Sequence, residues 1–226
     1  MGYWGLKIVK MYRIVFLLLS SAWLISCNSE KKNSIALPYY NEPTFTPLFI
    51  ENKTEIDKKI NHKISDFSFL DQDSLLINQN IITDKIHIAN FIFTSCGSIC
   101  PTMTRNLKRV NDHFKNNDEI VYLSYSVTPW IDKPYVLKKF KTNYGITNKN
   151  WHFLTGSKGE IYSLARQSYF AEEDIGFSKD STDFLHTEHF ILVDKTKRIR
   201  GIYNGTLQLE MEQLIDDINT LKEEKK

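Results

Sequence analysis

The sequence predicts a mixed α/β domain, a central sheet flanked by helices. Three observations carry that expectation. The runs KIHIANFIFTS (85–95) and EIVYLSYSV (119–127) are long, apolar and poor in charge, as strands buried on both faces must be. Between them Met103, Leu107, Val110 and Phe114 recur at three- and four-residue intervals, the helical period. Strands and helices then alternate and finish in a hairpin followed by a helix, an order that suits a sheet with helical layers.

The elements follow in chain order. Residues 1–26 combine a short basic stretch with a 12-residue apolar run, IVFLLLSSAWLI (14–25), too short to cross a bilayer but fitting a secretion signal. Small Ser26 then precedes Cys27, and LISC (24–27) resembles a bacterial lipobox, which implies cleavage before Cys27 and a lipid on its thiol. A start at Met11 gives a more compact signal. The competing reading is an uncleaved amphipathic anchor with a buried Cys27, which leaves the order basic, apolar, small without a cause. Residues 27–62 are expected to be a tether plus a packed extension. NSEKKNS (28–34) is polar, whereas IALPYYNEPTFTPLFI (35–50) has three prolines that forbid a long helix and aromatic residues that need a surface to pack on. Residues 63–222 form the domain proper, and 223–226 a charged tail.

Within the domain, DFSFLDQDSLLI (66–77) predicts a small hairpin around DQDS. The strand 85–95 leads to a helix over 101–115, and the strand 119–127 to a helix over about 133–144 that stops at Gly145. WHFLTG (151–156) is a short strand before a helix near 158–170, residues 171–185 are a polar excursion, and 189–205 are two strands joined at DKTK. The last helix turns Leu207, Leu214, Ile218 and Leu221 inward. This order suggests a thioredoxin-like sheet flanked by helices, with an N-terminal hairpin and a lipoprotein signal before it.

Composition narrows the function. The first 26 residues hold three of the 29 basic side chains and none of the 27 acidic ones, so the remainder is near neutral. With no basic stripe and no nucleic-acid motif, DNA and RNA are not expected partners. There is no internal repeat and no glycine-rich phosphate loop.

The chemistry concentrates in TSCGSICPTM (94–103). Cys96 and Cys100 flank a strand-to-helix junction, where free N–H groups and the helix dipole favour a thiolate. Pro101 suits the opening turn, which has no use for its missing N–H. Residues 96 and 100 fall on one side of that turn, roughly 6 Å apart along the axis, so both sulfurs can face one ligand. A slight adjustment also closes a disulfide between them, and outside the cytoplasm such a bond persists. Zinc sites usually need a second cysteine pair, which the chain lacks. Two soft thiolates suit copper(I), and an added imidazole extends the site to copper(II). Two buried cysteines at a helix start are the competing structural reading.

Among the histidines, His62 sits in a polar, exposed segment, and His87 and His152 begin apolar strands where packing or edge roles suffice. His113 faces the middle of a helix far from its first turn. His186 and His189 flank the entry to FILVD, a strand whose preceding loop reaches the cysteines if it lies beside the strand ending at Ser95. Spacing alone leaves both open as a third ligand.

NFIFTSCGSICPTM, LSYSVTPWIDKP and FLHTEHFILVDKTKRIRGIYNG together resemble the SCO/SenC family of thioredoxin-fold copper proteins, over roughly 63–222. DFSFLDQD resembles the family's opening hairpin. The resemblance implies that Cys96 and Cys100 are thiolate ligands, that the same pair forms a redox disulfide, and that the ligating histidine is His186, leaving His189 as a weaker alternative. It implies copper, as Cu(I) or Cu(II), and delivery to the apo copper-centre subunit of cytochrome c oxidase or thiol-redox maintenance of that centre. A thiol reductase then joins the expected partners, and the place expected is the cell envelope, anchored by lipid and facing the periplasm. Two departures stand out. Thr128 occupies the first acidic position of the family's Asp-Pro-x-x-Asp pattern, leaving Asp132 to orient a histidine, meet a partner or cap a helix, and Gly97 replaces a common proline, which frees the metal loop. The alternatives are a thiol-disulfide oxidoreductase or redox sensor without copper delivery, a peroxide-reducing enzyme, and a noncatalytic lipoprotein scaffold that binds through residues 35–50.

Overall fold

Nine strands build the sheet in the computed structural model, which describes residues 36–171 and 187–224. In chain order they are β1 Tyr39–Tyr40, β2 Pro47–Leu48, β3 Ser68–Asp71, β4 Leu76–Asn78, β5 Ile86–Ile92, β6 Ile120–Ser126, β7 Trp151–Thr155, β8 His189–Val193 and β9 Ile199–Asn204. Their order across the sheet is β2-β1-β9-β8-β5-β6-β7-β3-β4. The helices are α1 Ile56–Lys59, α2 Ile99–His113, α3 Pro134–Asn143, α4 Lys158–Ser163 and α5 Gln208–Glu223. β5, β6 and β7 run parallel, and every other pairing is antiparallel.

Alternation along the central strands divides the core between the two faces. On one, Ile86, Ile88 and Ile92 of β5 and Tyr122 of β6 meet Met103, Leu107 and Val110 of α2 and Met211, Leu214 and Ile218 of α5. On the other, Ala89, Phe91, Leu123 and Tyr125 meet Phe67, Phe69, Ile161 and Tyr169. All seven residues of β5 and of β6 are buried, which is why these runs read as continuously apolar.

The turns follow their chemistry. In the β3–β4 hairpin Asp71 accepts hydrogen bonds from the N–H groups of Asp73 and Leu75 at 2.8 and 3.0 Å. In the β8–β9 turn Asp194 does the same for Thr196 and Arg198 at 2.8 and 3.1 Å. Four details differ from expectation. The predicted helix 158–170 is α only to Ser163 and then widens, with Tyr169 N–H donating to the Leu164 carbonyl at 3.1 Å, which carries Tyr169 wholly into the core. Leu207 precedes α5 and is exposed, and Met211 takes its inward place. His113 is the last residue of α2 rather than a mid-helix one. His62 is half-buried, because its Nε2 lies 2.7 Å from the Ser168 carbonyl and its ring stacks on Phe170 at 4.1 Å. The polar excursion falls almost wholly outside the described residues.

Candidate metal centre

β5 delivers the chain to the junction at its C-terminal end, where Cys96 N–H donates to the Phe93 carbonyl at 3.2 Å and closes a turn before α2. Pro101 stands in the first turn of that helix. Ser98, which flanks the helix, makes no side-chain cap. The backbone N–H groups of Cys100, Ser98 and Ile99 and the Cys100 thiol lie near the Cys96 sulfur and favour its charged form. This agrees with the preference for a thiolate that the helix dipole implies.

The two thiols diverge in acidity. Partial burial pushes the Cys96 thiol up, but those neighbouring groups together outweigh it and hold it below the ordinary thiol value. Cys100 is 3% exposed, packed in the helical-face core, and burial drives its thiol up to about 12 despite a hydrogen bond from the Phe93 N–H. Both cysteines are free, and each influences the acidity of the other. The arrangement pairs a partly exposed sulfur, its thiol held below the ordinary value, with a buried sulfur whose thiol is raised, at the start of one helix.

Asp132 underlies the junction. Its carboxylate accepts from Thr94 N–H at 3.1 Å, Thr94 Oγ1 at 2.5 Å, Ser126 Oγ at 2.6 Å and Thr128 Oγ1 at 2.9 Å. At 0% exposure it cannot face a partner, contrary to one of its expected roles. Nor does it cap α3: the flanking residue there is Lys133, and no side-chain cap forms. Trp130 and Ile131, about half exposed at 50% and 47%, are what this loop offers to the outside. The sequence marked Thr128 only as a departure at an acidic position, and it did not mark Thr94 or Ser126 as partners of Asp132. The available signal was hydroxyl residues at the ends of two apolar strands, and only folding shows that they converge on one carboxylate.

β8 lies beside β5 and runs antiparallel to it, pairing His87 with Val193 and Ala89 with Ile191. The chain therefore enters β8 at the sheet end that carries the cysteines. His186, like Cys27, is outside the described residues. His189 is described, and its position removes it from the candidates. Phe190 and Leu192 point to the helical face with Cys100, whereas His189 shares the alternation of Ile191 and packs its ring 6.3 Å from Phe45 on the opposite face. His87 and His152 pack in interior strands as expected, but each keeps one buried ring nitrogen without a hydrogen-bond partner among the described residues. His87 is wholly buried, with Nε2 3.1 Å from the Tyr169 hydroxyl, and His152 Nδ1 lies 3.3 Å from Asp71. Among the described residues no three Cys, His, Asp or Glu side chains converge to hold a metal. The described part of the site is the dithiol.

Known proteins agree with this architecture. The SCO1/SenC family model matches residues 56–223. The SCO1 protein homolog of Bacillus subtilis (strain 168) is 32% identical over 168 residues, 74% of this chain and 86% of that protein. A SCO1/SenC family lipoprotein from Bacillus anthracis str. Ames has a similar structure, with a TM-score of 0.64 and 28% identity over 73% of this chain and 97% of that one. BsSco, described with a disulfide switch as a member of the Sco family of cytochrome c oxidase assembly proteins, gives a TM-score of 0.60 and 30% identity over 73% and 95%. Bradyrhizobium japonicum ScoI, solved with copper bound, gives 0.56 at 21% identity over 70% and 98%, a likeness of fold. With a thioredoxin-like sheet, a dithiol at the start of its first long helix and a family match across most of its length, this chain belongs to the SCO1/SenC family.

Proposed function

We propose that this protein is an extracytoplasmic copper-binding factor for assembly of the copper centre of cytochrome c oxidase, holding copper through Cys96, Cys100 and His186 and anchored by lipid at Cys27. The observation that carries the reading is the pair of free cysteines at a helix start, one partly exposed and one buried. Two soft sulfurs fit copper as cargo. For the third ligand, the path of the chain is favourable. Asn106 of α2 donates to the Gly205 carbonyl at 2.9 Å, and Gly205 N–H donates to the Glu188 carbonyl at 2.7 Å. The cysteine helix and the segment entering β8, two residues beyond His186, are thus tied together. Two relatives, a SCO1/SenC family lipoprotein and a member of the Sco family of cytochrome c oxidase assembly proteins, fit the same role and place. No helix among the described residues is long and apolar enough to cross a membrane, and the anchor in this reading is the lipid.

The dithiol works in two exclusive states. Reduced, it presents two sulfurs to copper, and a recipient takes the ion by adding its own ligands before these let go. A second reading, thiol-redox maintenance of the recipient, is favoured by the asymmetry of the pair. Cys96 as thiolate attacks a recipient disulfide and releases one recipient thiolate. Cys100 then loses its proton and attacks Cys96 in the mixed disulfide, which frees the recipient as a dithiol and leaves Cys96–Cys100 oxidised. The oxidised pair has no thiolate left for copper.

Copper stoichiometry and visible absorption separate these roles when the wild type is compared with C96A, C100A, H186A and H189A, reduced and then oxidised. The expected result is one copper on the reduced wild type and H189A, and its loss from the other three variants and from oxidised protein. Copper uptake equal in H186A and wild type overturns the ligand set. A metal-free protein that reduces disulfides but takes up no copper favours the second reading.

A further inference from the structure

Asp132 lies where three parts of the chain meet: the end of β5 through Thr94, the end of β6 through Ser126, and the turn into α3 through Thr128. We propose that Asp132 is the positioning residue of the metal loop, holding the Cys96 turn, through Thr94, in the shape that lets both sulfurs face one ion. The proposal rests on the copper reading above and adds to it a residue that touches no metal.

Several contacts carry it. Thr94, two residues before Cys96, gives Asp132 both its backbone N–H and its hydroxyl, a two-point grip that fixes the strand end in position and rotation. Cys96 is in turn bonded to Phe93 across the same turn. The carboxylate is itself held in place. Its own N–H and that of Ile131 both donate to the Thr128 carbonyl, at 2.9 and 2.8 Å, and Thr128 N–H donates to Ser126 Oγ at 3.1 Å. A buried carboxylate with four donors is fully satisfied, so the grip is rigid. Thr128 matters here as well. A hydroxyl at this position donates to Asp132, whereas a second carboxylate would meet it with like charge. A Cβ built on Gly97 would meet open space, so no side-chain packing at that position helps hold the turn, which leaves the Cys96–Phe93 bond and the grip on Thr94.

The test compares wild type with D132N, T94V and T94S as full-length protein in detergent micelles. Copper(I) affinity, the copper(II) visible band and amide hydrogen exchange at residues 94–97 are measured on each. D132N and T94V are expected to lose about ten-fold or more in affinity, the effect of a disturbed outer-shell partner, with a shifted band and faster exchange at 94–97. T94S keeps the hydroxyl and is expected to stay within about two-fold of wild type. T94V with wild-type affinity, band and exchange overturns the proposal, and it carries the test alone if D132N does not fold. If wild type takes up no copper, the copper reading fails by itself. Amide exchange then decides the clamp: faster exchange in T94V supports it and unchanged exchange overturns it.

Discussion

Cys96 and Cys100 are one side chain in two environments. The first is partly exposed beside the N–H groups of the helix start, the second buried in the first turn of α2 with its thiol raised to about 12. Only the thiolate alkylates, so at pH 7 reduced, metal-free protein is expected to react with iodoacetamide at Cys96 about ten-fold or more faster than at Cys100. Peptide mass spectrometry over time reads this, and equal rates would refute the asymmetry. A second residue governs acid stability. Burial, with a smaller contribution from Lys197, lowers the His87 imidazole from 6.5 to about 3. The unfolded chain therefore binds a proton that the folded one refuses between those values. Stability falls as pH drops below about 6.5 and levels off near 3, by on the order of a few kcal/mol at most. Replacing His87 by Leu should flatten that limb of a urea-midpoint-against-pH curve while Tyr169 keeps its contact with Tyr125 at 3.3 Å. The sequence showed His87 as a packing residue at the start of an apolar strand. It did not show Tyr169, which arrives from a widened turn far along the chain.

Elements begin and end where local chemistry tells them to. Gly145 ends α3 with φ of +62°, a left-handed conformation that glycine adopts without strain, and this stop was legible as a glycine behind a helical period. Gly97 looks similar in the sequence and is not. A Cβ there meets open space, and its φ lies outside the left-handed region. Alanine is therefore expected to have opposite effects at the two positions. G145A should cost about 1 kcal/mol and G97A should gain about 0.5 kcal/mol by restricting the unfolded chain. Denaturant titration of both variants checks the pair, and a destabilised G97A would show that the metal turn needs glycine.

At the scale of the whole molecule, the N-terminal extension is part of the sheet. β1 pairs with β9, and Arg200 of β9 donates to the carbonyls of Leu37 and Pro38 at 2.8 and 3.0 Å. The same guanidinium holds Glu224 at the end of α5 by two bonds of 2.7 and 2.8 Å and lies 4.0 Å from the Tyr39 ring. A buried arginine stripped of such partners is expensive. A chain beginning at residue 51, which lacks both strands and both carbonyls, is expected to unfold about 2 kcal/mol more easily than one beginning at Ala36. Its cysteines, on the far side of β9 and β8, are expected to bind copper unchanged. Urea unfolding and copper titration of the two chains test this, and equal midpoints would show that the extension merely rests on the sheet.

The sequence by itself determined the central strands and the long helices, the order that implies a central sheet, and the cysteine pair at a strand-to-helix junction. These follow from periodicity, turn residues and spacing, which act over a few residues and are written locally. Tertiary structure decided which thiol is acidic, because burial and backbone donors are set by the layer above the sheet. It also decided that His189 looks away from the sulfurs, since strand register fixes which face each side chain takes. And it decided that the hydroxyls of Thr94, Ser126 and Thr128, from two strand ends and the turn into α3, meet on Asp132. Such contacts join residues far apart in the chain, where no local pattern records the partner.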